Sequence, residues 1–340
     1  MAQAILADLL RYCFLYLRNA HVHTRMKQSF ISIAALWAAA ASEPQQFRAK
    51  KLRSLIHEGA PFTQGLELVD DDTLIETSGA YPPGTASFIR FIDLHAGTAK
   101  QKGTSGLEKR FAEGIAKVKE GWLVTTWSDH KALRYGPNLD LVAEEDYPWQ
   151  GWGFAHDTKR DKFLATDGSP FMMQLNAETL KLEKKKAVTC MGHEVPGMNE
   201  LEYVEDFADQ GSVLFGNIYM TRFVLGVDPE TFKCKCFFDL EGFGAQPESE
   251  QMGFHVANGI AYLPKSKSFI VTGKNWDEMF EISLEAKTDG STDKLRKWLK
   301  ARPSGEVLLQ TPRSEGLTRM RSMRSMRSQR ADSGQLQPGK

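Results

Sequence analysis

GIAKVKEGWLVTTWSD, residues 114–129, is the stretch that decides the fold. A glycine opens a short apolar arm containing Ile115, Ala116 and Val118. Lys119, Glu120 and Gly121 form a polar turn, and Trp122-Leu123-Val124-Thr125-Thr126 makes a second arm. Apolar residues alternating around a polar turn, with β-branched and aromatic side chains in the arms, specify a β-hairpin. Working outward, the same pattern recurs in GLELVDDDTLIETSG (65–79), GWGFAHDTKRDKFLATDGS (151–169), LEYVEDFADQGSVLFGNIYMT (201–221) and NGIAYLPKSKSFIVTGKNW (258–276). Further strands follow several copies, as in ALRYG, PFMMQLN, RFVLGVD and MFEISL.

Units of roughly 40 to 60 residues, each a hairpin with added strands, are the sequence form of propeller blades. Five copies predict an all-β chain folded as a five-bladed β-propeller. A β-sandwich would also show alternation, but it does not account for the recurring strand-turn-strand that ends in a polar residue. In a propeller the innermost strands converge on a central channel, and their ends supply polar residues to one mouth.

The ends of the chain differ from this middle. From Met26 the sequence reads MKQSFISIAALWAAAASEP, with a basic start, an apolar stretch and then small residues, the layout of a secretory leader. Residues 1–42 are therefore read as a leader or signal segment, 43–290 as the propeller and 291–340 as a short basic helix followed by a tail. The helix is expected over Asp293 to Arg302. The tail contains RMRSMRSMRSQR (319–330), which has no hydrophobic periodicity and is expected to be disordered. The 340 residues carry 43 basic and 43 acidic side chains, so no global field favours nucleic acid as a partner. Four cysteines are too few for a disulfide scaffold, and no spacing resembles a zinc site or a redox CxxC motif. A bridge within the body is left open, without being expected.

PFTQGLEL (61–68), ETSGAY (76–81), FAEGIA (111–116), TTW (125–127), GWGF (151–154), TDGS (166–169), NELEY (199–203), NGIAY (258–262) and VTGKNWDEMFEI (271–282) stand in one order along the chain. Together they resemble the plant and bacterial type of glutaminyl-peptide cyclotransferase. The resemblance implies a five-bladed propeller that closes an N-terminal glutamine into pyroglutamate without a catalytic metal or cofactor. It also implies roles for particular residues. Glu113, in FAEGIA, is the acid/base, and Lys274, in TGKNW, stabilises the oxyanion or holds the amide. Gln64 and Asn199 read the glutamine amide and amine. Phe62, Trp127 and Trp152 line the pocket, with Trp276 as a possible addition. Glu200 and Glu202, beside Asn199, are expected either to favour a substrate ammonium or to serve as structural acids.

Three departures from the family pattern stand out. Tyr219 occupies the place of a usual tryptophan, which is expected to make one wall smaller or give it a hydroxyl. Ala112 stands where glycine is common. The residues EDFADQGS (205–212) lengthen the fourth hairpin and are expected to reshape the mouth. Two rival readings remain at this level. A metal-dependent hydrolase would need inward histidines or carboxylates, whereas His57, His156, His193 and His255 are scattered along the chain. A non-enzymatic propeller would have no need for Glu113 and Lys274 together. The expected partners are peptides or proteins that begin with glutamine. The expected setting is the secretory pathway or outside the cell, with a monomeric protein and at most weak membrane contact through the leader or basic tail.

Overall fold

The computed structural model describes residues 43–80, 86–244, 255–287 and 292–302. The predicted leader and the arginine-rich repeat lie outside these residues. Strand β1 (Gln45–Ile56) precedes three antiparallel four-stranded sheets. The first contains β2 (Thr63–Asp70), β3 (Thr73–Ser78), β4 (Phe88–Asp93) and β5 (Ala99–Gly103). The second contains β6 (Ala112–Val118), β7 (Gly121–Thr126), β8 (Lys131–Tyr135) and β9 (Leu141–Asp146), and the third β10 (Phe154–Asp157), β11 (Lys162–Ala165), β12 (Phe171–Asn176) and β13 (Leu182–Ala187). A small hairpin of β14 (Thr189–Cys190) and β15 (His193–Glu194) follows.

The remaining strands are β16 (Met198–Val204), β17 (Val213–Ile218), β18 (Phe223–Val227), β19 (Cys234–Asp239), β20 (Ala257–Leu263), β21 (Ser268–Gly273) and β22 (Glu278–Ala286). They join through β1 into one eight-stranded sheet, because β1 runs parallel to β19 and antiparallel to β22. The first described strand thus pairs with β19 and β22, late in the described residues, a pairing the hairpin repeat does not reveal. Strands β2, β6, β10, β16 and β20 stand side by side in a closed ring: β2 touches β6 and β20, β10 touches β6 and β16, and β16 touches β20. The described residues are nearly all β and their arrangement is propeller-like.

Burial follows from this arrangement. All of β17 and β21 is buried, because neighbouring sheets cover both faces. The outermost strands β5, β9 and β13 are largely exposed and carry the lysines and glutamates. Aromatic side chains fill the core beside β1, where Phe215 packs edge to face against Phe207 and Phe269 and at a tilt against Phe238. The inner strands approach closely because of glycine. A Cβ on Gly153 would stand 1.8 Å from the carbonyl oxygen of Asn199, and one on Gly114 would stand 2.6 Å from Phe154 N. Helix α1 (Asp293–Lys300) forms where the sequence places it, and it buries Leu295 and Leu299 against the fourth set of strands.

Two features correct the sequence reading. Cys190 and Cys234 form a disulfide that ties β14 to the start of β19, while Cys236 remains a buried thiol. The pair is 44 residues apart and meets only because Thr189 bridges to Lys233 when the sheet folds back. The EDFADQGS insertion joins the far ends of β16 and β17, where Phe207 packs into the core. It borders a cavity of about 1170 Å³ at that end, shared with Glu67, Lys117 and Glu202. It does not reach the edge of the ring that carries the candidate site.

Candidate active site

The site is built from irregularities repeated in the inner strands. The pairing register breaks between Thr63 and Gly65, between Ala112 and Ile115, between Met198 and Leu201, and between Ala257 and Ile260. A bulge of this kind inserts a residue and re-aims its side chain. The four bulges hold Gln64, Glu113, Asn199 and Asn258, and Trp152 takes the equivalent place just before β10. Five first strands therefore contribute one side chain each to the same level of the ring: Gln64-Gly65-Leu66, Glu113-Gly114-Ile115, Trp152-Gly153-Phe154, Asn199-Glu200-Leu201 and Asn258-Gly259-Ile260. All five are buried.

The second strands end at this edge and add to it. Lys274 follows β21, anchored by its N–H to Val256 O at 2.9 Å. Trp127 follows β7 and Tyr219 follows β17, and Asn217 lies near the end of β17. The Lys274 ammonium stands 4.7 Å from the ring centre of Phe62 and 5.1 Å from that of Tyr219. Tyr219 meets Trp152 edge to face at 5.5 Å. Phe62 meets Phe111 at 6.1 Å, and Phe111 meets Trp127 at 5.7 Å. These five rings wall a region whose floor is polar.

Hydrogen bonds order part of that floor. Asn258 Nδ2 donates to Thr63 O at 2.9 Å and to Gln64 Oε1 at 3.3 Å, and Gln64 Nε2 donates to Glu113 Oε1 at 3.4 Å. Asn217 Oδ1 accepts from Gly259 N at 3.0 Å. Other polar atoms are buried without a hydrogen-bond partner among the described residues: Trp152 Nε1, both side-chain atoms of Asn199, Asn217 Nδ2 and Lys274 Nζ. Leaving such groups unmatched costs about 1–3 kcal/mol each, a cost that a bound group with complementary donors and acceptors would offset. Burial lowers the Lys274 pKa to about 8, against the opposing pull of the Glu113 charge. Burial, reinforced by the same charge, raises Tyr219 to about 12.

The structure brings together all eight residues singled out from the sequence: Phe62, Gln64, Glu113, Trp127, Trp152, Asn199, Tyr219 and Lys274. It separates three others from that role. Trp276 is a packing residue, buried beneath Gly273 and Gly244 with its Nε1 donating to His255 O. Glu200 accepts from Leu66 N and Ile260 N, and Glu202 from Tyr262 N, so both brace the ring internally. Burial raises both well above the usual carboxylate range. Phe111, Asn217 and Asn258 were missed. NGIAY aligns with PFTQGLEL and FAEGIA in the repeat, so the column position of Asn258 was available as a signal.

A family model described as "Glutamine cyclotransferase" matches residues 25–284, more than half of the chain. This chain belongs to the glutamine cyclotransferase family. It is 28% identical over 236 residues to the glutaminyl-peptide cyclotransferase of Arabidopsis thaliana, covering 67% of this chain and 69% of that one. The crystal structure of Myxococcus xanthus glutaminyl cyclase superposes with a TM-score of 0.61 at 25% identity, covering 72% of this chain and all of that one. Within this cyclotransferase the acidic and basic members of the site, Glu113 and Lys274, are both wholly buried. Among the described residues no group of three or more His, Cys, Asp and Glu is placed to hold a metal ion.

Proposed function

We propose that this protein is a glutaminyl-peptide cyclotransferase, a five-bladed propeller closed by β1, acting on peptides or proteins whose first residue is glutamine. One observation supports the reading: the buried donors and acceptors of Trp152, Asn199, Asn217 and Lys274 without a hydrogen-bond partner among the described residues belong to the same edge of the ring as Glu113, beside the aromatic side chains. A glutamine side chain is small and uncharged, with one acceptor oxygen and one NH2 group, and Asn199, Asn217, Trp152 and Lys274 offer it complementary partners.

In the proposed reaction the substrate's α-amine attacks the Cδ carbon of its own side-chain amide. A C–N bond forms, the oxygen gains negative charge, and the bond to the amide nitrogen breaks to release ammonia. Glu113 accepts the proton from the attacking amine and returns it to the departing nitrogen. The Lys274 ammonium, held in a dry setting, stabilises the oxyanion with help from Asn199. The walls keep the glutamine folded over itself, and an intramolecular attack gains most of its rate from such holding. No step uses a metal. Tyr219 sits between Trp152 and Lys274 and sets the width of one wall.

The test is incubation with a glutamine-leading peptide and mass spectrometry for the loss of one ammonia. Glu113→Gln should slow the reaction at least about 100-fold, the usual worth of acid–base catalysis. Wild-type rates in Glu113→Gln would remove Glu113 from the role of base. We also propose that the chain is exported. A disulfide between Cys190 and Cys234 persists in oxidising compartments, and the leader-like segment near Met26 agrees with that setting. Mass spectrometry of the mature N-terminus tests this directly.

A further inference from the structure

We infer that Asn258 is a positioning residue for the reaction, fixing the amide of Gln64 so that its NH2 group, not its oxygen, faces the Glu113 carboxylate. A glutamine amide is nearly symmetric in shape, so its hydrogen-bonding neighbours choose its orientation. Asn258 has no such ambiguity. Its Nδ2 lies 2.9 Å from Thr63 O, which can only accept, and its Oδ1 lies 3.5 Å from Glu200 N, which can only donate. With Asn258 so oriented, its NH2 group also faces Gln64 at 3.3 Å and requires an oxygen there. The Gln64 NH2 group is thereby turned toward Glu113 Oε1, 3.4 Å away.

The chemical consequence falls on the base. A donor aimed at a carboxylate favours its ionised form, whereas a carbonyl oxygen in the same place favours the protonated one. Asn258 therefore acts on the reaction through Gln64 by keeping Glu113 ready to accept a proton. The chain of contacts crosses three neighbouring inner strands, β20, β2 and β6. Asn258 and Gln64 are 194 residues apart and meet only where the end of the chain closes on its beginning. Lys274, after β21, and Tyr219, after β17, also feel the Glu113 charge. Glu200 of β16 adjoins Asn258 through its backbone N–H. None of these three residues is replaced in the variants below.

The inference rests on the acid–base reading of Glu113, and the test separates the two. The pH dependence of kcat/KM is measured on one glutamine-leading peptide for wild type, Asn258→Leu, Gln64→Met and the double variant. The substrate amine titrates identically in all four, so differences in the acid limb belong to the enzyme. Each single change should move the acid limb up by about one pH unit, and the double change no further than either single one. Should Asn258→Leu fail to accumulate folded, Asn258→Ser carries the same test, because its short hydroxyl reaches Thr63 O or Gln64 but not both. An acid limb that superposes on wild type, even with a lower kcat, overturns the inference, as do shifts that add in the double variant. Full activity in Glu113→Gln would instead overturn the acid–base reading on which it rests.

Discussion

Replacing Lys274 by methionine should make the protein more stable and much less active at pH 7. The side chain is fully buried, and its ammonium has no hydrogen-bond partner among the described residues. A fall in pKa from 10.5 to about 8 corresponds to a cost of about 3 kcal/mol for holding the charged form in the folded state. Contacts with the Phe62 and Tyr219 rings return roughly 0.5–2 kcal/mol of this. Methionine matches the length and needs no solvation, so a gain of about 1–3 kcal/mol is expected at pH 7. The folded pKa lies below the unfolded one, so the cost is fully present below about pH 8. It fades as pH rises from about 8 to 10.5, where the folded lysine is neutral and the unfolded one still holds its proton. Denaturant unfolding at pH 7 and pH 10 should therefore show the stability gap between wild type and Lys274→Met closing at high pH. In the same variant kcat should fall by roughly 10²–10³, the usual loss for one oxyanion donor. A variant less stable than wild type at pH 7, a gap that does not depend on pH, or a kcat within a few-fold of wild type would each refute the reasoning.

Wild-type activity should decline above about pH 8 as Lys274 loses its proton, while Lys274→Arg should extend activity to higher pH, read from kcat against pH. Tyr219→Ala should raise KM by roughly tenfold through loss of one aromatic wall, with Tyr219→Phe close to wild type. Replacing Cys190 and Cys234 by serine should lower stability by about 4 kcal/mol, the entropy of a closed loop of this length, measured by denaturant unfolding. Glu76 is buried, which alone would raise its pKa, but the His57 and Arg90 charges and the hydrogen bonds from His57 and Thr63 hold it at about 2. Its contribution is present above about pH 4.5 and is lost as pH falls toward 2, so Glu76→Gln should flatten acid unfolding there while costing about 3–5 kcal/mol at pH 7.

The strands themselves were legible in the sequence, because a hairpin is a local object. Alternation in GIAKVKEGWLVTTWSD and a turn at Lys119-Glu120-Gly121 need no distant partner, and β6 and β7 form there. Most of the site was legible for the same reason. The repeat places a polar or aromatic residue directly before a glycine or glutamate at the start of each unit, so Gln64, Glu113, Trp152 and Asn199 stand in local motifs. Asn258 shared that position and was passed over because its motif carries no group of obvious reactivity. What the tertiary structure alone decided was everything that depends on ring closure. Strand β1 pairs with β19 and β22, Cys190 reaches Cys234, and Asn258 orients Gln64, because a closed ring brings together residues that no local pattern couples. It also decided direction. Glu200 turns inward onto backbone amides, and the 205–212 insertion lies at the opposite end from Glu113, because antiparallel strands carry their turns away from the edge where their bulges stand. The chemistry of the site was thus encoded in short motifs, while the unmatched burial of Lys274 and Asn199 arose only when five inner strands enclosed them.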